Sequence, residues 1–200
     1  MSNLRAASTF GFTDMVSESQ ASFRTVMDAF SYPALAQDFS ARASAWGAMP
    51  ATMVTLLLTL VDQDTAIWLD KPYSEDDELR ACIAFYCGAP IFAEPARAAF
   101  AFISDAARIG DFARFAQGDP DFPDRSTTLV VQTGGMQSGP HMFSGPGVRE
   151  PRGFGADGLV ADFSAQWRMN RRSFPLGVDL IFVTDAKIVA LPRSLRLLEV

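Results

Sequence analysis

The sequence predicts an α/β fold, a mixed sheet flanked by helices, and three observations carry that expectation. The last quarter of the chain holds two apolar, β-branched runs, Phe174–Thr184 and Ile188–Ser194, separated by the polar turn Asp185-Ala-Lys187. That is the pattern of a β-hairpin, and runs so apolar belong in a sheet covered on both faces. Upstream, helical periodicity alternates with short extended segments, as it does where helices cover a sheet. Two hundred residues, 48% hydrophobic and 20% charged, suit one domain able to bury about 70% of the surface its unfolded chain exposes. Residues 1–15 read as an N-terminal extension and 16–200 as a single α/β domain, since no repeat or linker divides them.

The elements follow in order. Ser17 with Gln20 makes a capping-box pattern, and Phe23, Val26, Met27 and Phe30 share a helical face, which predicts a helix over 17–30 stopped by Ser31-Tyr-Pro33. Residues 34–39 read as a short strand. The almost wholly apolar Met53–Leu60 follows Pro50 and reads as a buried helix. Asp62-Gln-Asp64 is a turn before a strand at Thr65–Leu69. Ser74 is the expected cap of a helix through Tyr86, with Asp77 in the box position and Gly88 as the C-cap. Its acidic first turn, Glu75 to Glu78, is explained by the helix dipole. Ala98–Ile103 reads as a strand, Ile109–Phe115 as a short helix, 117–124 as a loop and Thr127–Thr133 as a strand. Eleven Gly and Pro residues between Gly134 and Gly158 predict a long loop, functional or disordered, in which Met142-Phe143-Ser144 pairs briefly with the Thr127 strand. A helix over 163–171 leads into the hairpin.

Composition excludes several function classes. A net charge of −6 disfavours nucleic-acid binding through phosphate contacts. One histidine and two cysteines, Cys82 and Cys87, provide no structural zinc set, and five residues apart on one helix the thiols face different ways, so no disulfide is expected. The N-terminus lacks an apolar signal core and no apolar run nears the ~18 residues of a membrane span, so the expected location is cytoplasmic. Charge is uneven: residues 1–144 carry 9 basic and 17 acidic side chains, net −8, and residues 145–200 carry 8 and 6, net +2. Nearly all the positive charge is arginine, suited to bidentate oxyanion or interface contacts, although codon bias in a GC-rich genome gives the same composition.

No single motif defines a site. Gly153-Phe-Gly155 with Gly158 matches Gly-x-Gly-x-x-Gly, but Pro151 precedes it and no strand feeds it. Ser144-Gly-Pro-Gly147 can be an anion nest or, more simply, a tight turn. His141 has no second histidine, cysteine or aspartate spaced for a triad or metal set. Lys71 and Lys187 fall beside an acidic run and in a hairpin turn, not in the desolvated pocket that a Schiff-base lysine needs. Asp179 enters early in a buried strand, where a carboxylate must be paired. Arg193, beyond Pro192, stands at the tip of the adjoining strand. The two can form a structural ion pair or wall an anion site.

One set of segments goes further. Ser22-Phe-Arg24 with Ser31-Tyr-Pro33, Leu57–Thr65 with Trp68-Leu69, Gly88-Ala-Pro90, Ser144–Gly147, Phe174–Leu180 and Leu191–Ser194, in that order from about Val16 to Arg196, resemble the PhnH family of the bacterial phosphonate carbon-phosphorus lyase system. The resemblance implies a homodimer with a fold akin to pyridoxal-phosphate (PLP) transferases but without that cofactor. It also implies partnership with the G, I and J subunits of that system. With its G, I and L partners the family supports displacement of adenine from ATP by an alkylphosphonate, giving α-D-ribose 1-alkylphosphonate 5-triphosphate. Such a reaction passes through an oxocarbenium-like state that anion clamps and a positioned carboxylate assist. The nucleosidase activity of the system is attributed to the I subunit, which leaves an architectural role open for PhnH proteins. Arg24, Gly145, Gly147, Asp179 and Arg193 are the residues that this reading selects for an anion site or a subunit contact; no metal ligands are expected. The Ala/Ser/Phe-rich N-terminal extension and the Gly-rich stretch after Gly134 depart from the family pattern.

Overall fold

In the computed structural model, which describes residues 11–198, five helices and nine strands build two sheets. The first helix, α1, spans Met15–Ser31 and is capped by Asp14, not Ser17: the Asp14 carboxylate accepts the Ser17 N–H at 3.2 Å, while Glu18 reaches back to the Thr13 N–H at 2.8 Å. Asp with Glu four residues on thus performs the reciprocal capping expected of Ser17 and Gln20. The buried face is Ser22, Val26 and Ala29, and Phe23 and Met27 stay exposed. Beyond the helix, Ala34 takes a positive φ of 56° inside the turn that the Leu35 N–H closes on the Tyr32 carbonyl, so the strand expected over 34–39 shrinks to β1, Gln37–Asp38.

Helix α2 is Ala51–Leu60, buried from Thr52 to Leu57 as its apolar run predicts. Strand β2, Ile67–Leu69, leads into a four-residue helix, α3, Lys71–Ser74, and then α4, Asp77–Tyr86. Ser74 therefore ends one helix instead of capping the next. Asp76 is the cap, accepting the Leu79 N–H at 3.0 Å and also the Ala48 N–H at 2.6 Å. Gly88 closes α4 with φ +65°, its N–H reaching the Ile83 carbonyl. Strand β3 is Phe100–Ile103 and β4 Thr128–Gln132. Between them the helix expected over 109–115 is replaced by two 3-10 turns, Ala106–Arg108 and Phe112–Arg114, each opened by an aspartate, Asp105 and Asp111. These side chains hold the backbone two residues on, a local bond that competes with the α-helix.

The largest departure from the sequence reading is the Gly-rich stretch, which is a hairpin and not a loop. Strands β5, Met136–Gly145, and β6, Val148–Ala156, pair antiparallel with two register irregularities. Residues 142–144 pair with β6 and with β9, Arg196–Leu197, not with the Thr127 strand. The glycines permit contact between backbones: a Cβ on Gly139 would lie 2.7 Å from the Gly155 Cα, and one on Gly153 2.8 Å from the Gly139 carbonyl. Helix α5, Phe163–Arg172, then leads to the predicted hairpin of β7, Asp179–Val183, and β8, Lys187–Leu191.

The larger sheet has the order β1-β8-β7-β4-β3-β2, with β2, β3, β4 and β7 parallel and β8 and β1 antiparallel to their neighbours. Alternation along the strands divides the core. Phe102, Val130, Ile181, Val183 and Ile188 face α1, α2 and α4. Leu129, Val131, Leu180, Phe182 and Val189 face α5 and the β5–β6 hairpin, where Phe143 meets Trp167 edge-on at 5.4 Å. No helix among the described residues is long and apolar enough to cross a membrane.

Candidate functional site

Asp179 and Arg193 meet. Asn170 on α5 clamps both backbone groups of Val178, donating to its carbonyl at 2.9 Å and accepting its N–H at 2.8 Å, and this fixes the start of β7. From there Asp179 accepts the Arg193 backbone N–H at 2.7 Å, the Nε at 3.1 Å and the Nη2, while the Arg193 Nη1 donates to the Pro123 carbonyl at 2.9 Å. Both side chains are only 15% exposed. Each polar atom of the carboxylate and of the guanidinium has a partner within the chain, which is the geometry of an internal bidentate pair.

Gly145 and Gly147 form the β5–β6 turn with Pro146. Gly147 has φ +78°, and a Cβ there would lie 2.5 Å from the Ser31 carbonyl; at Gly145, φ +145°, it would press on the Ser194 carbonyl at 3.3 Å. The turn is wedged between the end of α1 and the segment after Arg193. Arg24 is exposed on α1 and makes no ion pair among the described residues. The structure thus joins Asp179 to Arg193, sets Gly145 against the residues that follow them, and leaves Arg24 on an outer surface.

Three arrangements were not read from the sequence. At the carboxyl ends of the parallel strands, where open α/β sheets place ligands, Asp70 follows β2, is 4% exposed and takes the Ser104 N–H at 3.0 Å and hydroxyl at 2.6 Å on Oδ2; Oδ1 has no hydrogen-bond partner among the described residues. Next to it the buried Tyr73 hydroxyl donates to Gln132 at 2.6 Å, and burial, with the Asp70 charge second, holds that phenol far above its ordinary value. Second, His141 Nδ1 lies 3.0 Å from the Ser164 hydroxyl, and burial lowers the pKa of the imidazole. Third, Arg152 on β6 faces inward beside an open cavity of about 430 Å³. Strand-following aspartates are a signal that sequence can provide; the orientation of Arg152 depends on a pairing register that it does not provide. Cys82 and Cys87 are free thiols, and burial pushes the Cys87 thiol up to about 12. No cluster of metal-ligating side chains is found among the described residues.

Residues 10–198 match the family model described as bacterial phosphonate metabolism protein (PhnH). The chain belongs to the PhnH family. A Rhizobium meliloti (strain 1021) protein named alpha-D-ribose 1-methylphosphonate 5-triphosphate synthase subunit PhnH is 34% identical over 187 residues, 93% of each chain. A Stutzerimonas stutzeri protein named, provisionally, C-P lyase subunit protein HtxG is 27% identical over 176 residues, 88% of this chain and 83% of its own. PhnH membership covers both sheets and the Gly-rich hairpin, so the stretch set apart in the sequence lies inside the family match.

Proposed function

We propose that this PhnH-family chain is a subunit of a carbon-phosphorus lyase system and acts within a multi-subunit assembly in phosphonate catabolism. The observation that carries the reading is the family match over 10–198, with near full-length similarity to a relative named as a synthase subunit. In this reading the partners are the G, I, J and L subunits, the substrates of the assembly are ATP and an alkylphosphonate, and adenine is displaced to give α-D-ribose 1-alkylphosphonate 5-triphosphate in the cytoplasm. The fold is akin to PLP-dependent transferases, and the chain itself binds no PLP. The positions of its two lysines support this: Lys71 is exposed and faces Glu75 at 3.7 Å, and Lys187 is exposed at the start of β8.

The homodimer is assigned to α1. Its outer face exposes Phe23 and Met27, 49% each, beside Arg24 and Asp28. Opposite charges one turn apart are self-complementary across a two-fold axis, since an antiparallel second α1 sets Arg24 of each copy against the other's aspartate. A second reading, a dimeric scaffold that binds partner proteins and no small molecule, draws support from Asp179 and Arg193, whose polar atoms are consumed inside the chain.

The test is co-purification of the tagged protein from cells starved of phosphate and fed methylphosphonate. A stoichiometric multi-subunit complex is expected, and recovery of the homodimer alone overturns the proposal. Calorimetry on the isolated dimer with ATP and methylphosphonate separates the scaffold, which takes up neither.

A further inference from the structure

The β5–β6 register sets Arg152 opposite Phe143, and Phe154 follows two residues on; both phenylalanines are buried in the core. Residues opposite each other, or two apart, share a face of the sheet, so Arg152 projects from the apolar inner face of the hairpin. A charge in such a place needs compensation. The protein provides one bond, Nη1 to the Pro33 carbonyl at 2.9 Å, and no carboxylate pairs with Arg152 among the described residues.

The guanidinium lines the cavity of about 430 Å³, whose walls are mainly apolar, with Ala34, Leu35, Met136, Phe154 and Val189 among them, and which no acidic side chain among the described residues lines. The volume is that of a small-molecule site. Ala34, 8% exposed, stands in the wall in the left-handed region, and its N–H is held by the Ala190 carbonyl at 3.0 Å. The wall is therefore fixed by the β8 backbone.

We propose that this cavity binds an organic phosphonate or phosphate ester, the oxyanion head on Arg152 and the carbon body against the apolar wall. The remaining guanidinium N–H groups have the planar fork that oxyanions accept. An apolar wall beside one uncompensated cation selects an amphiphilic anion over inorganic phosphate, which wets no wall, and over a neutral hydrocarbon, which pairs no charge. The phosphonate form of the head rests on the family reading; the site itself rests on Arg152 and the cavity. The proposal opposes the ligand-free scaffold.

The experiment is calorimetry and amide chemical-shift mapping on the full chain with phenylphosphonate as probe, against inorganic phosphate and benzyl alcohol. Phenylphosphonate is expected to bind at least ten-fold more tightly than either control, with shifts confined to residues around 34–36 and 151–154. Arg152→Ala is expected to weaken it at least ten-fold. Because that variant also loses the bond to Pro33, Ala36→Trp is the second: it fills the cavity and leaves Arg152 and Pro33 paired, and it should abolish binding with the fold intact. Absence of phenylphosphonate binding to the wild type at millimolar concentration overturns the site, as does binding that survives Ala36→Trp. Co-purification of the complex with no ligand uptake overturns the site and leaves the family reading standing; uptake without co-purification does the reverse.

Discussion

At Asp179 and Arg193 the sequence left two outcomes open, an ion pair or an anion site, because spacing along a hairpin shows that two ends meet but not which hydrogen bonds they exhaust. The structure assigns all the exchanged bonds internally. Breaking a buried pair by removing one partner typically costs about 3–5 kcal/mol, since the other charge is stranded. Arg193→Met is therefore expected to lower the urea-unfolding free energy by about that amount, while complex activity per folded molecule stays within a factor of about two; a variant of wild-type stability that loses activity would instead make Arg193 a ligand contact. His141 gives a pH signature. Burial lowers its folded pKa, so below the ordinary value of about 6.5 the unfolded chain binds a proton that the folded chain resists. Its contribution is intact above that pH and is lost as pH falls toward the lowered folded value. Urea unfolding at pH 7.5 and 5.5 should show a drop that is smaller in His141→Gln; equal drops in both proteins would assign the slope to other groups. As the lone histidine it was visible in the sequence, but its Ser164 partner, on a helix 23 residues later, was not.

Among the elements, those with strong apolar patterns were legible: α2, α5, β4 and the β7–β8 hairpin fall close to where their apolar runs and the flanking proline and turn residues put them. Starts were less so, because Asp14 and Asp76 compete as caps with nearby serines that carry the same signature. The β5–β6 hairpin was missed for a physical reason. Glycine in a sequence signals either a flexible backbone or a backbone with no room for a Cβ, and composition does not separate the two. At Gly139 and Gly153 it is the second. Gly139→Val is expected to destabilise the protein by about 1–3 kcal/mol, as overpacking does, and to raise amide exchange across β5 and β6 while the β7–β8 hairpin stays protected. Unchanged protection in the smaller sheet would return the stretch to a loop.

For the whole molecule, the fold class was readable because one hairpin demanded cover on both faces, and the two core clusters provide it. The outward placement of Phe23 and Met27 was not readable, since a helix with apolar residues on two faces looks from sequence like one with a single wide face. If α1 is the dimer contact, Phe23→Glu should convert the dimer to a monomer in sedimentation at micromolar concentration, with unfolding free energy per chain measured on the monomer unchanged. A dimer that persists moves the contact elsewhere.

The margins of both sheets bear on how such contacts form. On the larger sheet β1 is two residues long, and the outer side of β2 is occupied by the Pro90–Phe92 segment through Ile67. On the smaller sheet β9 is two residues long and β6 carries Arg149, Glu150 and Pro151. Short, covered, charged or proline-bearing margins do not recruit another strand. Margins of this kind favour recognition of a neighbour by side chains on helices and turns over growth of a backbone ladder. Assembly of this protein is then a matter of surface chemistry that point mutations can tune one residue at a time, and the described residues of a chain set free when a complex falls apart offer no long, bare strand edge as a template for stacking into fibrils.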